Sequence, residues 1–179
     1  RSALTGFDRY LERWVVHHRW SPLDGLSVWL SRIGTWGAVW LVLALVVAIL
    51  LRRPRVFVLV AIAAAAADLS AAAIKAATGI ERPAYRDALP RPLMHVPRDG
   101  SSPSGHTATS FACATVLAAA VPRAAPLFYL LAVAISFSRI YVGAHWVFDV
   151  VGGIALGVAI ALLLLAADRR RSARGPRPG

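Results

Sequence analysis

Ser138-Arg139-Ile140-Tyr141-Val142-Gly143-Ala144-His145-Trp146-Val147-Phe148-Asp149 places an arginine, a histidine and an aspartate where two strongly apolar segments meet. His145 and Asp149 are four residues apart, so on one helix they share a face and Asp149 can hold the imidazole. Arg139 precedes His145 across a glycine-containing turn and can fold back onto the same place. Together the three side chains suit attack on an anion such as phosphate. A His-x-x-x-Asp pair on a helix is more commonly a satisfied polar contact, so the rest of the chain has to decide.

Composition puts that stretch in a membrane. The 179 residues are 58% hydrophobic and 16% charged, where a soluble domain is about half apolar and about one quarter charged. The net charge of +11 sits between or beyond the apolar runs. Anionic headgroups and membrane topology explain it better there than nucleic acid does, and no nucleic-acid partner is expected. Cys113 is the only cysteine and lies in an apolar run, which excludes an intramolecular disulfide or a cysteine zinc site.

Working outward, the chain reads as an all-α integral-membrane helical bundle with five spans, at about 34–51, 56–77, 104–121, 124–138 and 145–167. Together they form a core over 34–167. Residues 1–33 precede it as an interfacial amphipathic segment: Phe7, Tyr10, Leu11, Trp14 and Val15 recur at helical spacing among charges, with Trp14 and Trp20 as headgroup-level anchors. The adjacent His17 and His18 point to different helix faces and read as exposed rather than metal-binding. Residues 78–103 form one long polar connection rich in arginine and proline, ordered or lid-like. Residues 168–179 are a basic cytoplasmic tail, expected to be disordered.

Asp68 and Lys75 lie within the second span. Charges there are expensive, so they are expected to face the interior and to pair directly or through a neighbour. The arginines orient the whole. Arg52, Arg53, Arg55, Arg123 and the tail arginines share one side with a single acid, Asp168, and that side is cytoplasmic by the positive-inside rule. With five spans the segment 1–33 lies outside, and because the sequence begins with Arg1 an upstream sixth helix is expected. Lys75, Arg82, Ser104, Gly105, His106, Arg139, His145 and Asp149 then share the extracytoplasmic layer. Ser104-Gly105-His106 opens the third span, where free backbone N–H groups and the helix dipole favour an anion; Ser104 also fits an ordinary N-cap.

At this point the residues match a family. Lys75 with six residues to Arg82-Pro83, then Pro103-Ser104-Gly105-His106, then Ser138-Arg139 with five residues to His145 and three more to Asp149, resemble the type 2 phosphatidic acid phosphatase family. All three of its motifs are present in order and at their spacing, across residues 55–165. The family also holds soluble acid phosphatases and vanadium haloperoxidases; the spans here favour its integral-membrane lipid branch. The resemblance implies His145 as the nucleophile forming a phosphohistidine, Asp149 as its orienting partner, and His106 as general acid and then base. It implies Lys75, Arg82, Ser104, Gly105 and Arg139 as phosphate ligands. No carboxylate cluster of metal-binding type is evident, so no metal or other cofactor is expected.

The expected activity is a lipid phosphate or diphosphate phosphatase in a bacterial cytoplasmic membrane, with the bilayer and its lipid as partners and no obligate protein partner. Polyprenyl (undecaprenyl) diphosphate is favoured over phosphatidylglycerophosphate or a polyprenyl sugar phosphate, by analogy. A lipid phosphotransferase would use the same residues. A transporter is the reading from another class, weakened by the lack of repeat symmetry. Outside the motifs, Asp68 reads as a partner keeping Lys75 charged. Arg86, Arg91, His95 and Arg98 read equally as headgroup ligands or loop solvation, and Tyr141 and Trp146 as interfacial anchors.

Overall fold

The computed structural model describes residues 3–87 and 89–173 and is helical wherever it is regular. Among the described residues eight α-helices follow one another: α1 (Ala3–His17), α2 (Ser21–Ile33), α3 (Ala38–Leu51), α4 (Pro54–Thr78), α5 (Pro83–Arg86), α6 (Gly105–Ala120), α7 (Ala125–Tyr141) and α8 (Val147–Ala173). Proline lies in the first turn of α2, α4, α5 and α7, where its missing N–H costs nothing.

The centre of the bundle is α6. Its residues from Gly105 to Leu117 are buried apart from His106, and α8, α4 and α7 pack around it. The composition explains the enclosure: Ala108, Ala112 and Ala114 let neighbouring backbones approach, and Ser110 accepts Trp40 Nε1–H from α3 at 3.1 Å. On α8, a Cβ at Gly157 would fall 2.2 Å from Ala108 O, and one at Gly153 would fall 2.7 Å from Ser104 O. These glycines set how closely α8 lies on α6. The outer shell is apolar, with Ile49, Leu50, Leu69, Leu127, Leu130 and Leu163 largely exposed, as lipid-facing surfaces are.

Among the described residues three segments are long and apolar enough to cross a membrane: Pro54–Arg86, which contains α4, Pro122–Tyr141 and Val147–Ala173. The expected first span over 34–51 is built differently. Thr35–Gly37 is a 3-10 turn in which Trp36 takes φ 53°, and α3 begins only at Ala38. Its 14 residues reach about 21 Å, and it qualifies as a span only together with α2, across a 58° bend. Glycines at 34 and 37 explain why an uncharged run did not continue as one helix. α6, with 16 residues, is shorter than those three span-length segments and is enclosed by its neighbours.

Two other expectations need correction. Residues 168–173 do not begin a disordered tail, because α8 continues to Ala173 and Asp168 takes Arg55 in an ion pair of 2.6 Å at the start of α4. The tail expected over 174–179 lies outside the described residues. Tyr141 and Trp146 are buried rather than exposed anchors. Tyr141 OH bonds to Trp20 O and Asp24 Oδ1, and Trp146 Nε1 donates to Glu81 O at 2.8 Å, so both brace the turn before α8.

α1 buries Glu12 and turns its aromatics out. Glu12 is buried beside Arg13, Arg9 pairs with Asp87, and Asp8 Oδ1 accepts Phe148 N–H at the start of α8. Phe7, Tyr10 and Trp14 are each more than half exposed. The first helix thereby clasps the polar connection and the α7–α8 turn, both of which carry the site.

Candidate active site

Gly143, at φ 81°, closes the turn after α7. Arg139 O accepts both Ala144 N–H at 3.0 Å and His145 N–H at 3.2 Å, which folds the chain back and sets His145 beside the last turn of α7. His145 therefore does not share a helix with Asp149: it stands in the turn, and α8 starts two residues later. Asp149 is the third residue of α8, and its Oδ2 accepts Trp146 N–H at 2.9 Å, half of a capping box. The same oxygen lies 3.4 Å from His145 Nδ1 and accepts the Ser101 hydroxyl.

With Nδ1 facing a carboxylate, the proton belongs on Nδ1 and Nε2 carries the lone pair. Arg82 Nη1 donates to that Nε2 at 3.0 Å and to Ala144 O at 3.0 Å. Burial first, then the charges of Arg82, Arg139 and Lys75, push the His145 pKa well below the ordinary histidine value. The imidazole is thus kept neutral.

Lys75, Arg82, Gly105, His106, Arg139 and His145 line one cavity of about 230 Å³. Four polypeptide segments deliver them: the end of α4, the connection, the start of α6, and the last turn of α7 with the turn that follows it. Arg139 is 3% exposed; its Nη1 approaches Met94 Sδ at 3.5 Å, and its Nε has no hydrogen-bond partner among the described residues. A buried guanidinium so poorly satisfied is costly unless the site is meant for an anion. His106 Nε2 lies 3.4 Å from Thr35 Oγ1, so the α2–α3 break forms the cavity's other wall.

Two expected residues stand outside the cavity lining. Asp149 is behind His145. Ser104 is buried with its Oγ accepting Thr107 N–H at 3.5 Å and Thr107 Oγ1–H at 3.1 Å, so its hydroxyl caps α6. The Asp68–Lys75 pair also differs. Asp68 lines the cavity but is exposed, and Lys75 Nζ instead meets Asp99 Oδ2 at 3.4 Å. The residue that sequence reading missed is Asp99, which also takes Arg82 Nη2 at 2.7 Å. Its only signal was its position five residues before the Ser104-Gly105-His106 helix start. Of the connection's other basic residues, Arg98 lies 5.8 Å from the Tyr85 ring centre, and Arg86, Arg91, His95 and Arg98 do not line the cavity.

The PAP2 superfamily profile matches residues 55–173. The chain belongs to this superfamily. Among curated relatives of this PAP2 chain, the undecaprenyl-diphosphatase of Sulfolobus acidocaldarius is 30% identical over 160 residues, 88% of this chain and 77% of that protein. Solved structures share the fold. The transmembrane PAP2-type phosphatidylglycerolphosphate phosphatase of Bacillus subtilis aligns with a TM-score of 0.75 at 21% identity, covering 95% of this chain and 88% of the other. The LpxE protein of Aquifex aeolicus aligns with a TM-score of 0.71 at 24% identity, covering 88% and 93%.

Proposed function

We propose that this PAP2 protein is an integral-membrane phosphatase that removes the terminal phosphate of a lipid phosphate or diphosphate through a phosphohistidine on His145. The observation that carries the reading is the arrangement of Lys75, Arg82 and the unsatisfied Arg139 around a neutral imidazole whose other nitrogen faces Asp149. A phosphate in the cavity would take its nonbridging oxygens to the three cations and to the Gly105 N–H at the α6 start. Ser104 contributes by capping that helix start rather than by direct contact.

The reaction has two steps. His145 Nε2 forms a bond to phosphorus as the bond to the leaving oxygen breaks, and His106 gives that oxygen its proton. His106 then takes a proton from water, whose oxygen attacks the phosphohistidine, and the P–N bond breaks to release phosphate and restore His145. Asp149 keeps the tautomer and offsets the charge on the ring. Three cations supply the charge stabilisation that Mg²⁺ gives other phosphoryl-transfer enzymes, so activity should not need a metal.

The active site belongs at the extracytoplasmic headgroup layer. Arg52, Arg53, Arg55 and Arg169 line a groove at the opposite end of the bundle, which the positive-inside rule assigns to the cytoplasm. In this arrangement α2 with α3, α4, α6, α7 and α8 are the five spans, and α1 lies in the interface with Phe7, Tyr10 and Trp14 toward lipid. The substrate favoured is a polyprenyl diphosphate, in line with the name of the 30%-identical relative. Purified protein assayed against polyprenyl diphosphate, phosphatidylglycerophosphate and phosphatidic acid in one detergent with EDTA tests this. Phosphate release greatest from the prenyl diphosphate is expected; equal or greater release from the others would overturn the substrate, and loss in EDTA the metal independence.

A further inference from the structure

Asp99 has no part in the proposed chemistry, yet its carboxylate pairs with two of the three cations, Lys75 and Arg82. Arg82 donates to Asp99 Oδ1 from Nη2 at 2.7 Å and from Nε at 3.2 Å, and Lys75 Nζ lies 3.4 Å from Oδ2. A planar anion facing an arginine fork and an ammonium has the contacts a bound phosphate would make.

This placement is built into the connection. Gly100 passes so close to the end of α4 that a Cβ there would lie 2.6 Å from Lys75 O. Ser101 N–H donates to Ile80 O at 2.7 Å and Thr78 Oγ1 to Ser102 O at 3.3 Å, so the segment after Asp99 is tied down on both sides. Partial burial opposes charge on the carboxylate, but Arg82 and then Lys75 outweigh it and hold the Asp99 pKa below its ordinary value. The Asp99 side chain is 49% exposed while that of Arg82 is 2% exposed. The anion is therefore the replaceable member of the pair. Asp99 and Arg82 also border a second cavity of about 560 Å³ with Tyr85 and Arg98, so the carboxylate can rotate away without leaving charged surroundings.

Building on the phosphatase reading, we propose that Asp99 is a resident anion which the substrate's phosphate displaces from Lys75 and Arg82. The carboxylate lowers the affinity of the site for every competing anion by a common factor. A terminal phosphate carries about −1.5 to −2 near neutral pH, more than the single charge of the carboxylate it replaces. After hydrolysis the returning carboxylate competes with inorganic phosphate and promotes its release.

The test compares binding of inorganic phosphate and of singly charged dimethyl phosphate, by calorimetry and as competitive inhibition, in the wild type and in Asp99→Asn, Asp99→Ser and Asp99→Glu. In the Asn and Ser variants phosphate should bind about five- to tenfold tighter, the scale of a partly exposed charge-assisted pair. Dimethyl phosphate should gain by a similar factor, because both anions must displace the same carboxylate, and KM for the lipid should fall. Asp99→Glu should keep phosphate affinity near that of the wild type. Phosphate binding that is unchanged or weaker in both the Asn and Ser variants would overturn the proposal and make Asp99 a residue that merely positions the cations. Because calorimetry needs no turnover, a wild type inactive on every lipid would count against the phosphatase reading while leaving this comparison readable.

Discussion

As the proposed nucleophile, His145 Nε2 is held between two demands: it must keep its lone pair, and it must sit among cations. Nδ1 facing Asp149 meets the first, and Arg82 at 3.0 Å meets the second. Because burial and the neighbouring charges depress the His145 pKa, protonation removes the nucleophile only at low pH. The acid limb of kcat/KM should therefore lie below about 6.5, the ordinary histidine value; a limb at or above that pH in a rate profile would contradict the neutral-imidazole argument. Arg82→Lys is expected to lower kcat/KM by roughly a hundredfold, since one ammonium cannot reach both Ala144 O and the phosphate. Activity within about threefold of wild type would show that the fork is dispensable. The candidate residues that the fold gathers in one cavity were legible in sequence because they recur as motifs of particular residue types at particular intervals. Asp99 was not legible: an acid in a loop of mixed charge looks like solvation until the fold brings it onto Lys75. Tyr141 and Trp146 misled for the related reason that an aromatic at a span end can point either way.

At the scale of helices, the apolar runs were readable because hydrocarbon excludes charge, and α4, α6, α7 and α8 each lie within a few residues of the expected spans apart from the longer C-terminal end of α8. The break before α3 was not readable from hydropathy, since Gly34-Thr35-Trp36-Gly37 contains no charge. What places α8 against α6 is equally invisible to hydropathy: it is the missing side chain at Gly157. Gly157→Val is expected to destabilise the detergent-solubilised protein by roughly 1–3 kcal/mol through overpacking. Gly25→Ala in α2, where a Cβ meets nothing within 4 Å, should be neutral or slightly stabilising. Thermal unfolding of the two variants decides the point, and equal midpoints would mean that the α6–α8 contact is looser than described.

For the whole molecule, one end of the bundle gathers the motif residues and the other gathers unbalanced arginines. With Cys113 buried, single cysteines report the sidedness. A membrane-impermeant maleimide applied to intact cells should label Arg91→Cys, and should label Arg123→Cys only after permeabilisation; the reverse pattern would invert the topology. The proposed route of the phosphate runs through His145. Rapid quenching of the purified protein, in EDTA, with a lipid diphosphate radiolabelled in its terminal phosphate follows that route. A base-stable, acid-labile label on the protein is expected to appear before free phosphate and to be absent from His145→Ala. Release of phosphate with no protein-bound label, or a label that persists in His145→Ala, would contradict that route.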